Sequence, residues 1–213
     1  YRNIDGLAHQ FEDHDVVYEN AKGASSVCAG DINNDGSIDI VSASGLDNSI
    51  RWYRNNGQGS SFQPVLVYGQ ALGATSVFVA DLDQDGDLDI LSSSKDDHSI
   101  RWYRNTDELG GKFDAVLVYS NARGAACVYA ADVDADGYLD VLSASKEDDS
   151  IRWYKNKNGR ADNFTDNDAV LVFNKARGAS FVRAADLDGD GDVDILSSSE
   201  KDDTVRWYRN RDG

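Results

Sequence analysis

The stretch DLDQDGDLDIL, from Asp81 to Leu91, has aspartates at loop positions 1, 3, 5, 7 and 9 and then continues as an apolar segment. Like charges this close repel one another unless a cation lies among them. Three further stretches repeat the pattern: DINNDGSIDIV (31–41), DVDADGYLDVL (132–142) and DLDGDGDVDIL (186–196). The pattern therefore predicts four similar cation-binding loops, and its recurrence determines how the chain is organised.

The acidic loops divide the chain into four units. They begin at residues 31, 81, 132 and 186, so the spacings are 50, 51 and 54 residues. Around each loop the order of segments is the same: a Gly-Ala pair, a short apolar segment, the loop, a second apolar segment, an acidic turn, a segment reading IRWYRN or a close variant, a variable linker and a segment of the type FQPVLVYG. A period near 50 residues is typical of propeller or solenoid arrays.

The apolar segments have the composition of β-strands. They are short, rich in Val, Ile, Tyr and Trp, and bounded by Gly, Asn, Asp and Ser. Four short strands per unit make up a propeller blade. We therefore expect an all-β fold, a β-propeller of four-stranded antiparallel blades, with one repeat domain over residues 1–213. Its repeats lie at approximately 23–70, 73–120, 124–174 and 178–210.

The two ends of the chain complement each other in sequence. The last unit stops after RWYRN at 206–210, whereas DVVYEN at 15–20 resembles a fourth strand such as AVLVYS. We expect a strand within residues 11–20 to complete the last blade. That arrangement closes a four-bladed ring, and the alternatives are four units of a larger ring or self-association through the end strands.

The charge of the chain limits its partners. The net charge is −17 at pH 7, and nucleic acids and anionic membranes both require a basic surface. The sequence contains no apolar run long enough to span a bilayer. We expect no nucleic-acid partner and no membrane insertion. A metal ion is the favoured ligand, and the sequence does not identify a protein or glycan partner.

The acidic loops suit calcium, which takes about six to eight oxygen ligands. The glycines at position 6 permit the sharp turn that brings later ligands back toward earlier ones; they are Gly36, Gly86, Gly137 and Gly191. Position 7 varies freely, which indicates a backbone carbonyl ligand. Position 12 is Ser rather than the Glu of an EF-hand, so the aspartate at position 9 is expected to close the site. The alternative is a solvated acidic turn without an ion.

The motif D-x-[DN]-x-D-G-x-x-D before an apolar strand, once per unit of about 50 residues, resembles the FG-GAP and VCBS repeats of integrin-α-like β-propellers. The resemblance implies about four Ca²⁺ ions, one in each repeat loop. It implies ligands at positions 1, 3, 5, 7 and 9: Asp31, Asn33, Asp35, Ser37 and Asp39; Asp81, Asp83, Asp85, Asp87 and Asp89; Asp132, Asp134, Asp136, Tyr138 and Asp140; Asp186, Asp188, Asp190, Asp192 and Asp194.

Two other repeated features admit two interpretations each. The tryptophans Trp52, Trp102, Trp153 and Trp207 either pack between neighbouring blades, which we favour, or stack on sugars as in a lectin. The turn aspartates Asp47, Asp97, Asp148 and Asp202 precede a Ser or Thr by two residues, a spacing typical of hairpin-turn hydrogen bonding. The two cysteines, Cys28 and Cys127, are expected to be small buried side chains rather than a disulfide.

We expect a binding module rather than an enzyme. His9, His14 and His98 have no nucleophile at a catalytic spacing. The sequon Asn163-Phe164-Thr165 predicts glycosylation at Asn163, and together with calcium loops it indicates an extracellular or cell-surface location. The expected function is a structural, adhesion or protein-interaction module. The alternatives are a carbohydrate-binding lectin and a non-catalytic domain of a larger secreted enzyme.

Overall fold

The computed structural model describes residues 2–3, 11–12, 16–58, 61–107, 109–159, 164 and 169–211. All regular secondary structure in these ranges is β-strand. No helix among them is long and apolar enough to cross a lipid bilayer. The all-β prediction is therefore confirmed for this part of the chain.

The strands follow the predicted segments closely. In chain order they are β1 (Arg2–Asn3), β2 (Phe11–Glu12), β3 (Ala24–Gly30), β4 (Asp39–Ser44), β5 (Ser49–Asn55), β6 (Phe62–Tyr68), β7 (Ala74–Ala80), β8 (Asp89–Ser94), β9 (Ser99–Asn105), β10 (Phe113–Tyr119), β11 (Ala125–Ala131), β12 (Asp140–Ser145), β13 (Ser150–Tyr154), β14 (Ala169–Phe173), β15 (Ala179–Ala185), β16 (Asp194–Ser199) and β17 (Thr204–Tyr208).

Each unit forms its own antiparallel sheet. The strand orders are β3-β4-β5-β6, β7-β8-β9-β10, β11-β12-β13-β14 and β15-β16-β17, with a separate pair β1-β2. Consecutive strands pair with their neighbours because short turns connect them. Three sheets thus have the four strands of a blade and the last has three. Among the described residues no strand pairs with the free edge of β17, so no closed ring is found.

The core lies between consecutive sheets. The first strands β3, β7, β11 and β15 contact one another in sequence order. Between the first two sheets, Ile50 and Trp52 of β5 are buried in one cluster with Val77 of β7 and Tyr103 of β9. Two equivalent clusters lie between the second and third sheets and between the third and fourth sheets. Because each inner sheet is covered on both faces, its strands are apolar on both faces.

The outer faces of the first and last sheets are open. Val27 of β3 is 71% exposed, whereas its equivalent Val77 is buried. Val205 of β17 is 83% exposed, whereas its equivalent Ile100 is buried. Cys28, on the open first sheet, is partly exposed, while Cys127 is buried, and both are free thiols. The two end faces therefore expose side chains that lie in the core at every internal junction.

The described residues of the N-terminal segment form a short strand pair. Among its described residues, Phe11–Glu12 form a strand, and this strand pairs with Arg2–Asn3. Residues 16–20 contain no strand. The register Asn3↔Phe11 repeats Asn55↔Phe62 of the first unit, so this pairing is a local copy of the third and fourth strands of a unit. Closing a loop of about 10 residues costs roughly 2–3 kcal/mol less than closing one of about 200, which favours the local pairing.

Tyr18 connects this segment to the first sheet. Its ring lies 5.5 Å from that of Tyr53, and the Arg51 guanidinium lies 5.4 Å above it. The same aromatic pair and the same stacked arginine recur at the other junctions: Tyr68–Tyr103 with Arg101, Tyr119–Tyr154 with Arg152, and Phe173–Tyr208 with Arg206. The aromatic residue near the end of a fourth strand thus packs on the third strand of the following unit.

Candidate metal centres

Each acidic loop joins the first and second strands of its sheet and is folded by its own carboxylates. The position-1 aspartate accepts the backbone N–H of the position-6 glycine, at 2.8 Å in Asp31–Gly36 and 3.0 Å in Asp81–Gly86. The same bond measures 2.9 Å in Asp132–Gly137 and 3.0 Å in Asp186–Gly191. The position-5 aspartate accepts the N–H of position 7 in every loop. These bonds curl the backbone around the carboxylates.

Glycine is required at position 6 by backbone conformation. Gly36, Gly86, Gly137 and Gly191 have φ between +84° and +99°, a left-handed conformation that L side chains rarely adopt. A Cβ at any of them would meet nothing within 4 Å, so space is not the constraint. The structure thus supplies the physical reason for the sharp turn that the sequence predicts.

The position-9 aspartates close the loops through hydrogen bonds. Asp89 is fully buried, and its Oδ2 accepts the N–H of Leu82 at 3.1 Å while its Oδ1 accepts the N–H of Asn105 at 2.8 Å. Asp39, Asp140 and Asp194 make the same two bonds in their units. Burial raises the pKa of Asp89 to about 8 and that of Asp140 to about 6. These aspartates thus hold each loop closed by hydrogen bonds. Their role as metal ligands remains a prediction.

Carboxylates converge in three of the loops. Oxygen atoms lie within 4.8 Å of one another in the groups Asp81-Asp83-Asp85, Asp132-Asp134-Asp136 and Asp186-Asp188-Asp194. The first loop has an amide at the third position, where Asn33 Nδ2 donates to Asp35 Oδ2 at 2.8 Å. Positions 1, 3 and 5 therefore lie together in the second and third loops, whereas in the last loop the convergent group joins positions 1, 3 and 9.

Several of these oxygens are buried without a hydrogen-bond donor. Both carboxylate oxygens of Asp83 lack a well-aligned donor, although Arg104 Nε lies 2.5 Å from Oδ2, and the side chain is 4% exposed. One side-chain oxygen of each of Asp81, Asp134 and Asn33 is in the same state. Burial and the Asp85 carboxylate raise the pKa of Asp83, while Arg104 lowers it. Buried acceptors without donors are costly, and a cation among them would remove that cost.

The residues at position 7 share a backbone contact, and the predicted role of their carbonyl groups as ligands remains a prediction. The side chains differ, and only the backbone N–H of this position is bound in the same way in every loop, by the carboxylate of position 5. The Asp87 side chain faces the preceding loop, where Asn34 Nδ2 donates to its Oδ1 at 2.6 Å. Gln84 of the second loop likewise donates to the loop that follows it, where the backbone oxygen of Gly137 is the acceptor. These contacts between loops were not expected from the sequence.

A cationic side chain lies beside the carboxylates of every loop, and sequence reasoning missed it. It is the residue after Trp-Tyr in the third strand segment: Arg54, Arg104, Lys155 and Arg209. Arg104 Nε lies 2.5 Å from Asp83 Oδ2, and Arg209 Nη2 lies 2.6 Å from Asp188 Oδ2. The recurrence of Arg or Lys at this position was the available signal.

The turn aspartates have the predicted structural role. Asp97 Oδ1 accepts the Ser99 hydroxyl at 2.9 Å, and its Oδ2 accepts Arg101 Nη1 at 2.6 Å. Asp47, Asp148 and Asp202 bind the equivalent hydroxyl and arginine in their turns. His98 directly follows the turn aspartate Asp97, at positive φ, and its Nδ1 accepts the N–H of Gly124 at 3.2 Å. His98 is thus a turn residue.

The first two tryptophans are buried, and the solvent exposure of the last two is greater. Trp52 is buried under Gly110, and Trp102 is buried against Phe164, whose ring stands edge-on at 6.0 Å. Both covering residues belong to the linker of the following unit. Trp153 is partly buried and Trp207 is 48% exposed. Packing between units therefore accounts for Trp52 and Trp102. The predicted glycosylation residue Asn163 and the histidines His9 and His14 lie outside the described residues.

Comparison with known proteins finds solved structures of related fold. No curated protein sequence matches this chain. A lectin of Agrocybe aegerita that recognises non-reducing terminal N-acetylglucosamine is 22% identical, with a TM-score of 0.55 over 80% of this chain and 46% of its own. The V. cholerae biofilm matrix protein Bap1 is also 22% identical, with a TM-score of 0.48 over 83% of this chain and 28% of its own. The chain thus spans less than half the length of either, and the likeness to the lectin shows a shared fold.

The loops and strands described above coincide with a family model. The model of the FG-GAP-like repeat matches three overlapping segments, residues 31–92, 85–143 and 132–197. Each segment begins at or within an acidic loop and ends in the second strand of the following unit. These matches cover more than half of the sequence, and the chain belongs to the FG-GAP-like repeat family.

Proposed function

We propose that the acidic loops bind calcium, about one ion per loop, and that the chain is a calcium-stabilised β-propeller module of an extracellular protein. The observation that supports this best is Asp83, whose buried carboxylate lies in a group of three convergent carboxylates, contacts Arg104 and has no well-aligned hydrogen-bond donor. Arg104 brings one positive charge to these three carboxylates. A divalent cation among them would stabilise their charged forms further.

The donor chemistry favours calcium over other metals. The convergent groups contain only carboxylates, with no His or Cys, which selects a hard cation. Magnesium retains its waters and rarely uses a site built entirely from protein ligands, whereas calcium accepts flexible all-oxygen sites. Millimolar calcium outside cells fills even weak sites of this kind, which supports an extracellular location.

The proposed ligands are those that the motif implies. Positions 1 and 3 converge in three of the loops, and position 5 joins them in the second and third. Position 7 would contribute its backbone carbonyl. Position 9 would contribute the second lone pair of a carboxylate oxygen that already accepts a backbone N–H. We assign the chain no catalytic role, and the proposed role is to present a rigid surface to a protein or glycan partner.

Thermal melting tests the calcium proposal. Each loop filled at about 100 times its dissociation constant adds about 2.7 kcal/mol to the free energy of unfolding. The melting midpoint should rise by several degrees in calcium relative to chelator and change little in magnesium. Asp83→Asn should reduce the rise, whereas Asp114→Asn, an exposed position on β10, should leave it unchanged. Equal midpoints in calcium and chelator would contradict the proposal.

Glycan binding is a second candidate, and the half-exposed Trp207 is the observation that favours it. An open indole face on a rigid sheet is a suitable platform for a sugar ring. Trp52 and Trp102 are buried and do not provide such a platform. A glycan array in which binding disappears with Trp207→Ala, at unchanged stability, would support the lectin role. An array that shows no binding would contradict the lectin role.

The end faces support association between copies of this chain. At the three internal junctions the equivalents of Val27 and Val205 are buried, so the two open faces are the halves of one repeated interface. We propose that the last sheet of one copy packs on the first sheet of another. Sedimentation should show dimers or larger species that Val205→Lys dissociates. A monomer at high concentration, unaffected by that change, would contradict this.

A further inference from the structure

The cationic residue beside each acidic loop has a role that the repeat motif does not assign. In the second loop, Arg104 Nε lies 2.5 Å from Asp83 Oδ2 and its Nη2 lies 3.9 Å from Asp85 Oδ2. In the third loop, Lys155 Nζ contacts Asp134 and lies 3.2 Å from Asp136 Oδ2. The contacted carboxylates are those of positions 3 and 5, which are also proposed metal ligands.

In the second loop the contact is an ion pair without a well-aligned hydrogen bond, whereas Lys155 and Arg209 donate hydrogen bonds to their loops. Arg104 Nε has no aligned acceptor although Asp83 Oδ2 is only 2.5 Å away, and both Asp83 oxygens lack an aligned donor. The guanidinium therefore neutralises the loop without satisfying its acceptors. A divalent ion bound to the same oxygens would do both, because it is small enough to lie among them.

Arg104 and Arg101 lie on the same strand but have different environments. Arg101, three residues earlier on β9, pairs with Asp97 of the turn and stacks on the ring of Tyr68. Its side chain is more buried than that of Arg104, which is 41% exposed and ends near solvent. Arg101 is thus fixed in a junction, whereas Arg104 is able to withdraw from the loop without disturbing the core.

We propose that Arg104 and its equivalents Arg54, Lys155 and Arg209 are built-in counterions that hold the loop carboxylates together without metal and compete with calcium for them. This inference rests on the proposed calcium binding. It makes these residues affinity-determining, although they are not ligands. Two opposite effects follow from removing the charge: the metal-free protein loses stability, and calcium binds more tightly.

The size of the second effect follows from the charges involved. A unit positive charge about 6 Å from a divalent ion raises its energy enough, even at the dielectric constant of water, to weaken binding about tenfold. Arg104→Gln should therefore tighten calcium binding at the second loop by about tenfold at low salt. The gain should decrease in high salt, because ions screen charges near the surface.

A site-resolved titration tests the proposal. The Gly86 amide, bound to Asp81 at 3.0 Å, reports the second loop by its NMR shift during calcium titration, and Gly36, Gly137 and Gly191 report the other loops. In Arg104→Gln only the Gly86 curve should move to lower calcium. Arg101→Gln should leave the Gly86 midpoint unchanged, and Arg104→Lys, which keeps the charge, should stay within about threefold of the original protein.

The outcomes separate the two proposals. No calcium shift at Gly86 in the unmodified protein would disprove calcium binding itself. The counterion role would still be tested in chelator, where Arg104→Gln should lower the melting midpoint more than Arg104→Lys does. Unchanged or weaker calcium binding in Arg104→Gln would overturn the competition, since it would show that Arg104 only orients the carboxylates. Equal midpoints for Gln and Lys in chelator would overturn the counterion role.

Discussion

Asn105 donates its side-chain amide to the backbone oxygen of Ile32, 2.9 Å away and 73 residues earlier in the chain. Its own backbone N–H binds Asp89 Oδ1 at 2.8 Å. One asparagine therefore joins the acidic loop of its own unit to the loop of the preceding unit. Asn156 and Asn210 make the same contacts, to Leu82 and Val133 respectively. The loops and the junctions between sheets are thus parts of one hydrogen-bonded structure.

Asn105→Ala should destabilise the chain by about 1–3 kcal/mol, because it leaves the buried oxygen of Ile32 without a donor. Asp114, an exposed side chain on β10, is the control. Asp114→Ala should cost less than about 1 kcal/mol. Denaturant unfolding measures both. Equal costs would show that the contact between units adds no stability of its own.

Tyr18→Ala should loosen the first sheet rather than the last. The ring of Tyr18 packs on Tyr53 and Arg51, and such aromatic contacts are worth about 0.5–1.5 kcal/mol beyond the area they bury. Hydrogen exchange should show reduced protection in β5. Phe173→Ala is the matched change for β17, since Phe173 packs on Tyr208. Reduced protection of β17 in Tyr18→Ala would instead indicate that the N-terminal segment closes the ring.

The first loop should be the weakest calcium site. Asn33 stands where the other loops have Asp83, Asp134 and Asp188, so this loop has one fewer charged ligand. Asn33→Asp should tighten calcium binding at Gly36 by about tenfold or more. Asn34→Asp adds the same charge at a position that faces the next loop, and it should not tighten this site. A weakest site in another loop would argue against the charge argument.

Trp102 and Trp207 should differ strongly in their effect on stability. Trp102→Ala removes a fully buried indole that contacts Phe164 and should cost about 3–5 kcal/mol. Trp207 is 48% exposed on the open last sheet, and Trp207→Ala should cost less than about 1.5 kcal/mol in the isolated chain. If the end faces associate, the second cost should increase with protein concentration. Equal costs in dilute solution would contradict the packing described for these residues.

The sequence predicts most of what depends on local spacing. The acidic loops, the strands and the hydrogen bonds of the turn aspartates all arise within a few residues, so a period near 50 with glycine at position 6 is sufficient to locate them. The left-handed φ of Gly86 is an example, since the turn requires it whatever surrounds the loop. The presence of four equivalent loops could therefore be predicted with their residue numbers.

The sequence does not predict contacts that depend on which units lie side by side. The cover of Trp52 by Gly110, the pairing of Phe11 with Asn3 and the approach of Arg104 to Asp83 each depend on three-dimensional position. The Arg104 position was visible as a repeated Arg or Lys, but an exposed basic residue on a strand usually has no special role. Burial of Asp83 is what gives its neighbour significance.

The most direct test of calcium binding is the anomalous diffraction of crystals grown in calcium. Peaks are expected in the loops, in the second loop among Asp81, Asp83 and Asp85, with the Arg104 guanidinium displaced from Asp83. Asp83→Ala crystals, in which the position-3 ligand is removed, should lose the peak in that loop and retain those elsewhere. Crystals from millimolar calcium with no anomalous peak in any loop, and with Arg104 still in contact with Asp83, would contradict calcium binding by the loops.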